Sequence, residues 1–319
     1  MADASFAIAC TLGPDGCHAP FPIQSATSPQ EPVWIDLDRS VDARRWLSET
    51  AALDEVVVES LLTHNSRPRL DVSDDGILLI LRGGNFNEGE RRENLISVRI
   101  WMQPNRIITV HRERVRSIDA IRDRADQSHG PTSIGALLID LVRGLTTRLA
   151  PLIDDLSESL DHLEDGVIDP HQAVDRFELI GVRQRVITLH RFIVPQLKAL
   201  TELGTLQTTL LDDADRDALD EIVNEVTRYV EDLEAARSRA SLIQDEMANV
   251  LGERLSRRTY AVTIIAAIVL PMTLISGMLG MNVGGVPWTS HPHGFAIVSV
   301  LLVVIGVGGW ALARLLRWL

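Results

Sequence analysis

The sequence predicts an α+β domain, followed by long helices and then by a two-helix transmembrane hairpin. Three observations support this fold class. Strand-like apolar runs occur only within residues 1–130, a seven-residue apolar period marks the last long helix before the hairpin, and no Asp, Glu, Lys or Arg occurs in residues 259–313. Because charged residues form 24% of the chain, so long a charge-free segment is foreign to soluble domains and typical of membrane spans.

The first region, residues 1–130, combines strands with a helix and is expected to be a cytoplasmic α/β domain. Apolar runs bounded by turn residues predict four strands, at 33–37, 77–81, 95–102 and 106–111. Residues 42–64 follow a helical period after the first of these strands. Residues 66–69, which include a proline, are expected to end that helix.

Residues 131–258 are predicted to form a helical cytoplasmic stalk, with breaks near residues 166–170 and near Gly204. Two sets of apolar or semi-apolar residues recur every seven positions in its last helix, offset by three: Leu219, Val226, Leu233, Ala240 and Met247, and Ile222, Tyr229, Ala236, Ile243 and Val250. This a/d seam predicts a helix over 212–279 that packs lengthwise against other helices. The pattern leaves open whether those helices belong to the same chain or to other copies of it.

Residues 259–319 are predicted to form the transmembrane domain. Two uncharged segments, 259–279 and 295–313, each have the length that crosses a bilayer core. The outer loop between them, 280–294, is short, so the two spans are expected to form an antiparallel hairpin. Residues 314–319 form a tail.

Basic residues predict the orientation of the hairpin. Three arginines precede the first span and two follow the second: Arg254, Arg257, Arg258, Arg314 and Arg317. The outer loop contains neither Lys nor Arg. Because positive residues stay on the cytoplasmic side, both termini are expected in the cytoplasm of a bacterial cell, with the hairpin in the inner membrane.

A candidate pore lining follows one face of the first span. Two spans per chain cannot enclose a pore, so conduction requires several copies. The stripe combines small, hydroxyl and medium-sized apolar residues at spacings of three or four: Thr259, Val262, Ala266, Leu270, Thr273 and Gly277. It suits a narrow, mostly hydrophobic channel with constrictions at Val262 and Leu270, but periodicity alone does not separate it from neighbouring stripes.

The first span ends in Gly280, Met281 and Asn282, and this tripeptide resembles the Gly-Met-Asn signature of the CorA family of metal ion transporters. The second span, the basic C-terminus, the Pro-Met-Thr sequence at 271–273 and the strand at 34–37 also agree with that family. The resemblance covers nearly the whole chain. It implies a funnel-shaped homopentamer, with the first spans and their stripe around the pore and Asn282 of each chain at the outer mouth.

The chemistry of the tripeptide suits an outer mouth. Glycine at position 280 lets chains approach closely where the helix ends. The carboxamide of Asn282 presents a neutral oxygen acceptor. A ring of such oxygens can hold a hydrated cation without removing its water, as ions that dehydrate reluctantly require.

The loop after the tripeptide indicates which cation is carried. Residues 283–288 contain no carboxylate, whereas the magnesium and cobalt branch of the family commonly has an acidic loop, so the chain resembles the ZntB branch, which is linked to zinc. His291 and His293 add imidazoles, which suit zinc better than magnesium, although they also fit an ordinary exposed loop. The expected cargo is Zn²⁺, with Mg²⁺, Co²⁺, Ni²⁺ and Cd²⁺ as alternatives, and no cofactor is expected.

Acidic residues form a second set of candidate metal sites. The resemblance implies ion sites between subunits on the stalk, and Asp220 and Glu221 lie at the comparable height. A further acidic run consists of Asp154, Asp155, Glu158, Asp161, Glu164 and Asp165. Each of these two groups is also typical of a helix face that is simply exposed to solvent. The net charge of −13 argues against nucleic acid as a partner and favours accumulation of cations near the surface.

Rival functions remain open at this point. The main alternative to zinc uptake is a magnesium and cobalt channel of the CorA type. A membrane-anchored scaffold or sensor would use the hairpin only as an anchor. No HExxH, GxxxxGK[ST] or GxSxG motif occurs in the sequence, so no enzyme is predicted. The expected partners are membrane lipid, divalent cations and further copies of the chain.

Overall fold

A computed structural model describes residues 7–13, 16–18, 32–63, 66–127, 129–168, 176–281, 283–284, 286–287 and 291–315. The chain divides into two compact units, Met1–Ile243 and Gln244–Leu319. The boundary between these units falls inside one long helix. The predicted domain boundaries at 130 and 258 stay predictions.

The described residues form seven strands, eight α-helices and one π-helical turn. In chain order these are β1 (Ala7–Gly13), β2 (Gly16–His18), β3 (Val33–Asp38), α1 (Val41–Arg45), the π-helical turn (Trp46–Thr50), α2 (Glu55–Leu62), β4 (Arg69–Ser73), β5 (Gly76–Gly83), β6 (Ile96–Gln103), β7 (Arg106–His111), α3 (Arg116–Asp126), α4 (Ile134–Thr147), α5 (Ala150–Ile168), α6 (Arg176–Thr205), α7 (Asp213–Leu279) and α8 (Gly294–Leu315). The predicted α+β fold with long helices and a final helix pair is confirmed.

The strands of the first unit form one sheet in the order β2-β1-β3-β7-β6-β5-β4. β3 and β7 run parallel, and the other neighbouring strands described here are antiparallel. The central strands are buried on both faces, as expected of a sheet covered by helices on two sides. The four predicted strands correspond to β3, β5, β6 and β7 and are confirmed.

Helices cover the two faces of the sheet. On one face Leu47, Val58 and Leu61 join the core around Ile35 and Trp101. On the other face α4 and α6 approach β5, where the backbone N–H of Arg82 donates to the side-chain oxygen of Gln196 at 2.7 Å. Gly83 lies close to α4, because an added Cβ would stand 2.6 Å from Cδ2 of Leu145.

The prediction of one helix over residues 42–64 is wrong. The segment forms α1, the π-helical turn and then a separate α2. The chain turns at Ala52, whose φ of 51° lies in the left-handed region and therefore cannot continue a right-handed helix. Asp54 starts α2 by accepting a hydrogen bond from the backbone N–H of Val56 at 2.8 Å, which is the usual role of an N-cap aspartate.

The long helix predicted over 212–279 is confirmed as α7 (Asp213–Leu279). Its seam is covered within one chain along the first unit. Seven seam residues are buried: Leu219, Ile222, Val226, Leu233, Ala236, Ala240 and Ile243. Arg239 of the same segment pairs with Asp161 and Glu164 of α5 at 2.5 and 2.8 Å. This part of the seam therefore packs against helices of its own chain.

Candidate ion-conduction site

Two of the described helices, α7 and α8, are long and apolar enough to cross a membrane. Within the second unit they pack side by side. A Cβ added to Gly309 would lie 3.0 Å from Cγ1 of Ile268, and one added to Gly306 would lie 3.6 Å from the Met272 thioether. As the residue number rises along α7 it falls along α8, so the two segments form the predicted antiparallel hairpin.

One face of the first span is covered by the second span. From residue 259 to residue 279, six side chains are buried or half-buried and the others are exposed; the six are Ala261, Ile264, Ile268, Met272, Ile275 and Leu279. Their spacings of three and four mark a single helix face. Pro271 lies beside this face and does not end the helix, in line with the tolerance of proline in spans.

The predicted stripe lies on the opposite face of the same helix. Each stripe residue stands two positions before a covered residue, and two positions rotate an α-helix by about 200°. All six stripe residues are exposed in the single chain, and Val262 and Leu270 are 67% and 70% exposed. The second span therefore leaves this face of the first span without a covering helix.

The hydroxyl groups on the stripe present their oxygens outward. Thr259 donates its hydroxyl proton to the Leu255 carbonyl at 3.0 Å, and Thr273 donates to the Val269 carbonyl at 2.8 Å. Because each proton is committed to the helix itself, the remaining lone pairs of the hydroxyl oxygen face outward as acceptors. The stripe thus offers weak oxygen ligands without formal charge, a combination that suits passage of a hydrated cation.

The signature tripeptide begins where α7 ends. The backbone N–H of Gly280 still donates to the Ser276 carbonyl at 2.9 Å, so the helical bonding reaches this glycine. Met281 follows and is exposed. Asn282 lies outside the described residues, and its role in the outer mouth stays a prediction.

His291 and His293 lie just before α8 with their ring centroids 6.1 Å apart. Nδ1 of His291 accepts a hydrogen bond from the backbone N–H of His293 at 3.2 Å. With Nδ1 as the acceptor, the neutral imidazole of His291 carries its proton on Nε2, so neither ring nitrogen presents a free lone pair in this arrangement. Among the described residues, no group of three or more His, Cys, Asp or Glu side chains is placed to hold a metal ion. The pair by itself is therefore an incomplete zinc site.

The predicted stalk carboxylates are exposed and separate from the histidines in sequence. Asp220 and Glu221 both lie at the surface of α7, where Glu221 approaches Arg143 at 3.7 Å. In the acidic run of α5, the hydrogen bond from Arg239 holds the pKa of Glu164 below its usual value. Part of that run is therefore neutralised inside the chain, an arrangement the acidic spacing alone did not predict.

A buried charged network in the first unit was not predicted. Asp36 of β3 is 1% exposed; it accepts hydrogen bonds from Thr109 at 2.5 Å and from Arg122, and contacts His111 at 3.2 Å. Burial alone would raise the pKa of Asp36, but the hydrogen bond and charge of His111, with Arg122 and Thr109, hold it below its usual value. The sequence feature that could have indicated this network is Asp36 itself, a carboxylate inside an otherwise apolar run.

The same network shifts His111 in the other direction. Burial lowers the pKa of the imidazole, but the hydrogen bond and the charge of Asp36 outweigh this and raise it above its ordinary value. The network joins three elements. Asp36 of β3 contacts Thr109 and His111 of β7 and Arg122 of α3, and Trp34 of β3 also donates its indole N–H to Thr109 at 3.0 Å. Its position within the sheet unit indicates a structural role in holding these elements together.

The fold and the hairpin define a two-span membrane protein with a large sheet-and-helix unit before the spans. The profile of the family described as CorA-like Mg²⁺ transporter protein matches residues 29–317, and the chain belongs to this family. The family resemblance expected from the Gly-Met-Asn tripeptide is thereby confirmed.

Named relatives support the same family. The chain is 33% identical over 307 residues to the zinc transport protein ZntB of Pectobacterium carotovorum, covering 95% of this chain and 93% of the relative. It is 32% identical over 294 residues to the divalent cation transporter CmaX of Pseudomonas aeruginosa, covering 91% and 89%. A solved structure of full-length CmaX matches with a TM-score of 0.81 and 29% identity, over 98% of this chain and 97% of that one.

Proposed function

We propose that this chain forms a pore that carries divalent metal cations, chiefly zinc, across the bacterial inner membrane. The observation that carries the proposal is the uncovered stripe of the first span, which lies opposite the second span and leads to the Gly-Met-Asn tripeptide. The names of the relatives, a zinc transport protein and a divalent cation transporter, supply the class of cargo.

The stripe favours assembly of several copies. Thr259, Val262, Leu270 and the other stripe residues are exposed in one chain, and two spans cannot surround an axis. If the first spans of several chains meet around an axis, their stripes line it and the second spans face lipid. The family resemblance favours five copies. The outward threonine oxygens would then form rings along the pore.

The orientation and the cargo are supported by charge. Arg254, Arg257 and Arg258 precede the first span and Arg314 follows the second, which favours cytoplasmic termini. The outer loop lacks carboxylates and contains His291 and His293, a composition that favours zinc over magnesium. Magnesium and cobalt transport of the CorA type is the alternative cargo assignment within the same pore.

Cation uptake into proteoliposomes tests the proposal. The purified chain is reconstituted with an internal fluorescent metal indicator, and Zn²⁺, Mg²⁺ and Co²⁺ are supplied separately outside. We expect Zn²⁺ uptake to be fastest. Asn282→Ala is expected to reduce uptake to the level of empty liposomes while leaving the oligomer intact, because it removes the oxygen ring at the mouth.

Asn249→Ala is the matched control, because Asn249 is an exposed asparagine of α7 outside the spans. It is expected to transport like the unchanged chain. Undiminished flux through Asn282→Ala would overturn the role of the tripeptide. An assembled wild-type chain that carries none of the three cations would favour the scaffold or sensor reading instead.

A further inference from the structure

A cleft of about 370 Å³ lies in the first unit, and none of its lining residues belongs to those assigned to cation transport. Its charged lining residues are Arg39, Arg82, Arg99, Arg112 and Arg191 together with Glu90, Glu93 and Glu113. Glu93 also faces Arg185 at 3.7 Å. Five arginines against three glutamates leave a positive excess, in a chain whose net charge is −13.

The cleft lies at the carboxyl ends of the parallel strands. The backbone N–H of Arg39 donates to the carbonyl of His111 at 2.8 Å, so the residues that follow β3 and β7 are neighbours. Arg39 and Arg112 therefore occupy adjacent positions, directly after the carboxyl ends of β3 and β7. In open α/β sheets ligands are commonly bound beyond the carboxyl ends of parallel strands, and β3 and β7 are the one parallel pair among the strands described here.

Arg99 is a buried guanidinium that lacks a full set of partners. It is 3% exposed, and its Nη2 donates to the Thr63 carbonyl at 2.7 Å. Among the described residues it forms no ion pair, and its Nε has no hydrogen-bond partner. Burial, together with the charges of Arg39 and Arg82, lowers the pKa of Arg99 to about 10. A buried charge in this situation is stabilised by an anion.

Ser97 adds a second donor to the same wall. It stands two positions before Arg99 on β6, so both side chains project from one face of the strand. The hydroxyl of Ser97 is buried and also lacks a hydrogen-bond partner among the described residues. Two independent buried donors on the wall of one cleft point to a ligand that accepts hydrogen bonds.

Two further arginines contact the ring of Phe192, and backbone carbonyls also hold one of them, Arg82. Cζ of Arg82 lies 4.1 Å and Cζ of Arg191 4.6 Å from the centre of the Phe192 ring. Nη1 of Arg82 also donates to the Leu95 carbonyl at 2.9 Å, and its Nη2 to the Ser66 carbonyl at 3.1 Å. The positive charge of the cleft is therefore positioned before any ligand arrives, which lowers the cost of binding.

We propose that this cleft binds a small organic phosphate, with the phosphate group held by Arg99, Arg112 and Arg191. A guanidinium group can donate two parallel hydrogen bonds to two oxygens of one phosphate, and these charged hydrogen bonds are stronger than those from neutral donors. The cleft has the volume of sites for small organic ligands rather than for a single inorganic ion. The lining of the cleft includes none of the residues assigned to the pore, so this proposal and the pore rest on separate sets of residues.

Calorimetric titration of the full-length chain in detergent, without added metal and at constant chloride, tests the proposal. The probes are adenosine monophosphate, pyrophosphate, adenosine and citrate. We expect saturable binding of the two phosphate compounds, at one molecule per chain, and none of adenosine or citrate. Binding of citrate as tight as that of pyrophosphate would overturn the assignment to phosphate, and absence of binding by both phosphate compounds would overturn the site.

Arg112→Gln and Arg191→Gln are expected to weaken binding about tenfold each, because each removes a charged donor. Both residues are exposed, so folding is expected to survive. Arg99→Met is expected to abolish binding, and a melting curve checks that it folds. The control is Arg67→Gln, an exposed arginine outside the cleft. An equal loss of binding affinity in Arg67→Gln would mean that general surface charge, rather than the cleft, attracts the phosphate compounds, and it would overturn the proposal.

Discussion

The two units of this chain differ in where their charged and apolar side chains lie. In the first unit Asp36 is buried among Thr109, His111 and Arg122, and apolar side chains fill both faces of the sheet. In the second unit no charged side chain occurs between residues 259 and 313, and large apolar side chains such as Val262 and Leu270 lie on the outside.

This difference shows which surroundings each unit requires. The first unit closes its core within one chain, as a protein in water must. The second unit exposes a nearly continuous apolar surface, which is stable only against lipid or other spans. Helix α7 passes through both situations, because its seam is covered up to Ile243, whereas from Leu251 onward its large apolar side chains are mostly exposed outside the face that α8 covers.

The largest expected effect tests the buried charge of the first unit. Asp36→Asn leaves Arg122 and His111 without their carboxylate and is expected to lower the free energy of unfolding by about 3–5 kcal/mol. Denaturant unfolding in detergent, followed by tryptophan fluorescence, measures it. Asp38→Asn, on the exposed end of the same strand, is the control and is expected to change stability by less than about 0.5 kcal/mol. Equal losses would contradict the network.

The next effect compares two leucines of α7. Leu233→Ala empties a fully buried seam position and is expected to cost about 2–5 kcal/mol. Leu255→Ala changes a side chain that is 68% exposed and is expected to cost less than about 0.5 kcal/mol. The same unfolding measurement applies to both. A large loss at Leu255 would indicate that another copy covers this position in the assembled protein.

Adjacent glycines sharpen the description of the hairpin. Gly309→Leu would force side-chain atoms into Ile268 and is expected to lower stability by about 1–3 kcal/mol. Gly308→Leu enters open space in the single chain and is expected to be nearly neutral. Thermal melting in detergent compares the two variants. A greater loss at Gly308 would mean that the uncovered side of α8 also packs against protein.

The smallest effect is the dependence of the first unit on pH. Because the pKa of folded His111 lies above its ordinary value of 6.5, its stabilising contribution is complete below that value and is lost as pH rises through the folded pKa. Asp36, whose pKa lies below 3.8, stays ionised throughout this range. The expected result is a melting-temperature advantage of wild type over His111→Gln that is larger at about pH 6 than at about pH 8.

Much of the fold could be predicted because the spacing of apolar residues along a segment indicates which of its faces is buried. Strands β3, β5, β6 and β7 are apolar runs, and α7 is a regular seam. The edge strands β2 and β4 were missed, as was β1 beside β2. β4 is polar and mostly exposed, and residues 66–69 were interpreted as a helix terminator. An edge strand of this kind is specified by its pairing with β5 rather than by its own hydrophobicity.

The candidate site divides in the same manner. The spans, the tripeptide and the stripe are local features, so the sequence is sufficient to propose them. Periodicity did not favour one stripe over its neighbours; the position of α8 against Ile268 and Met272 shows which face of the first span is covered, and the place of the stripe in a pore stays a prediction. The arginine cleft joins residues from the segment after β3 to α6, and no local pattern brings Arg39 and Arg191 together.

The sequence by itself determined the order of the two units, the charge-free hairpin and the long helix that leads into it, because each depends on composition and period over neighbouring residues. Only the tertiary structure decided which face of the first span stays uncovered, where Asp36 finds its partners and which arginines share a cleft. These features depend on contacts between residues up to about 150 positions apart, and burial gives such contacts their energy only when the chain has folded.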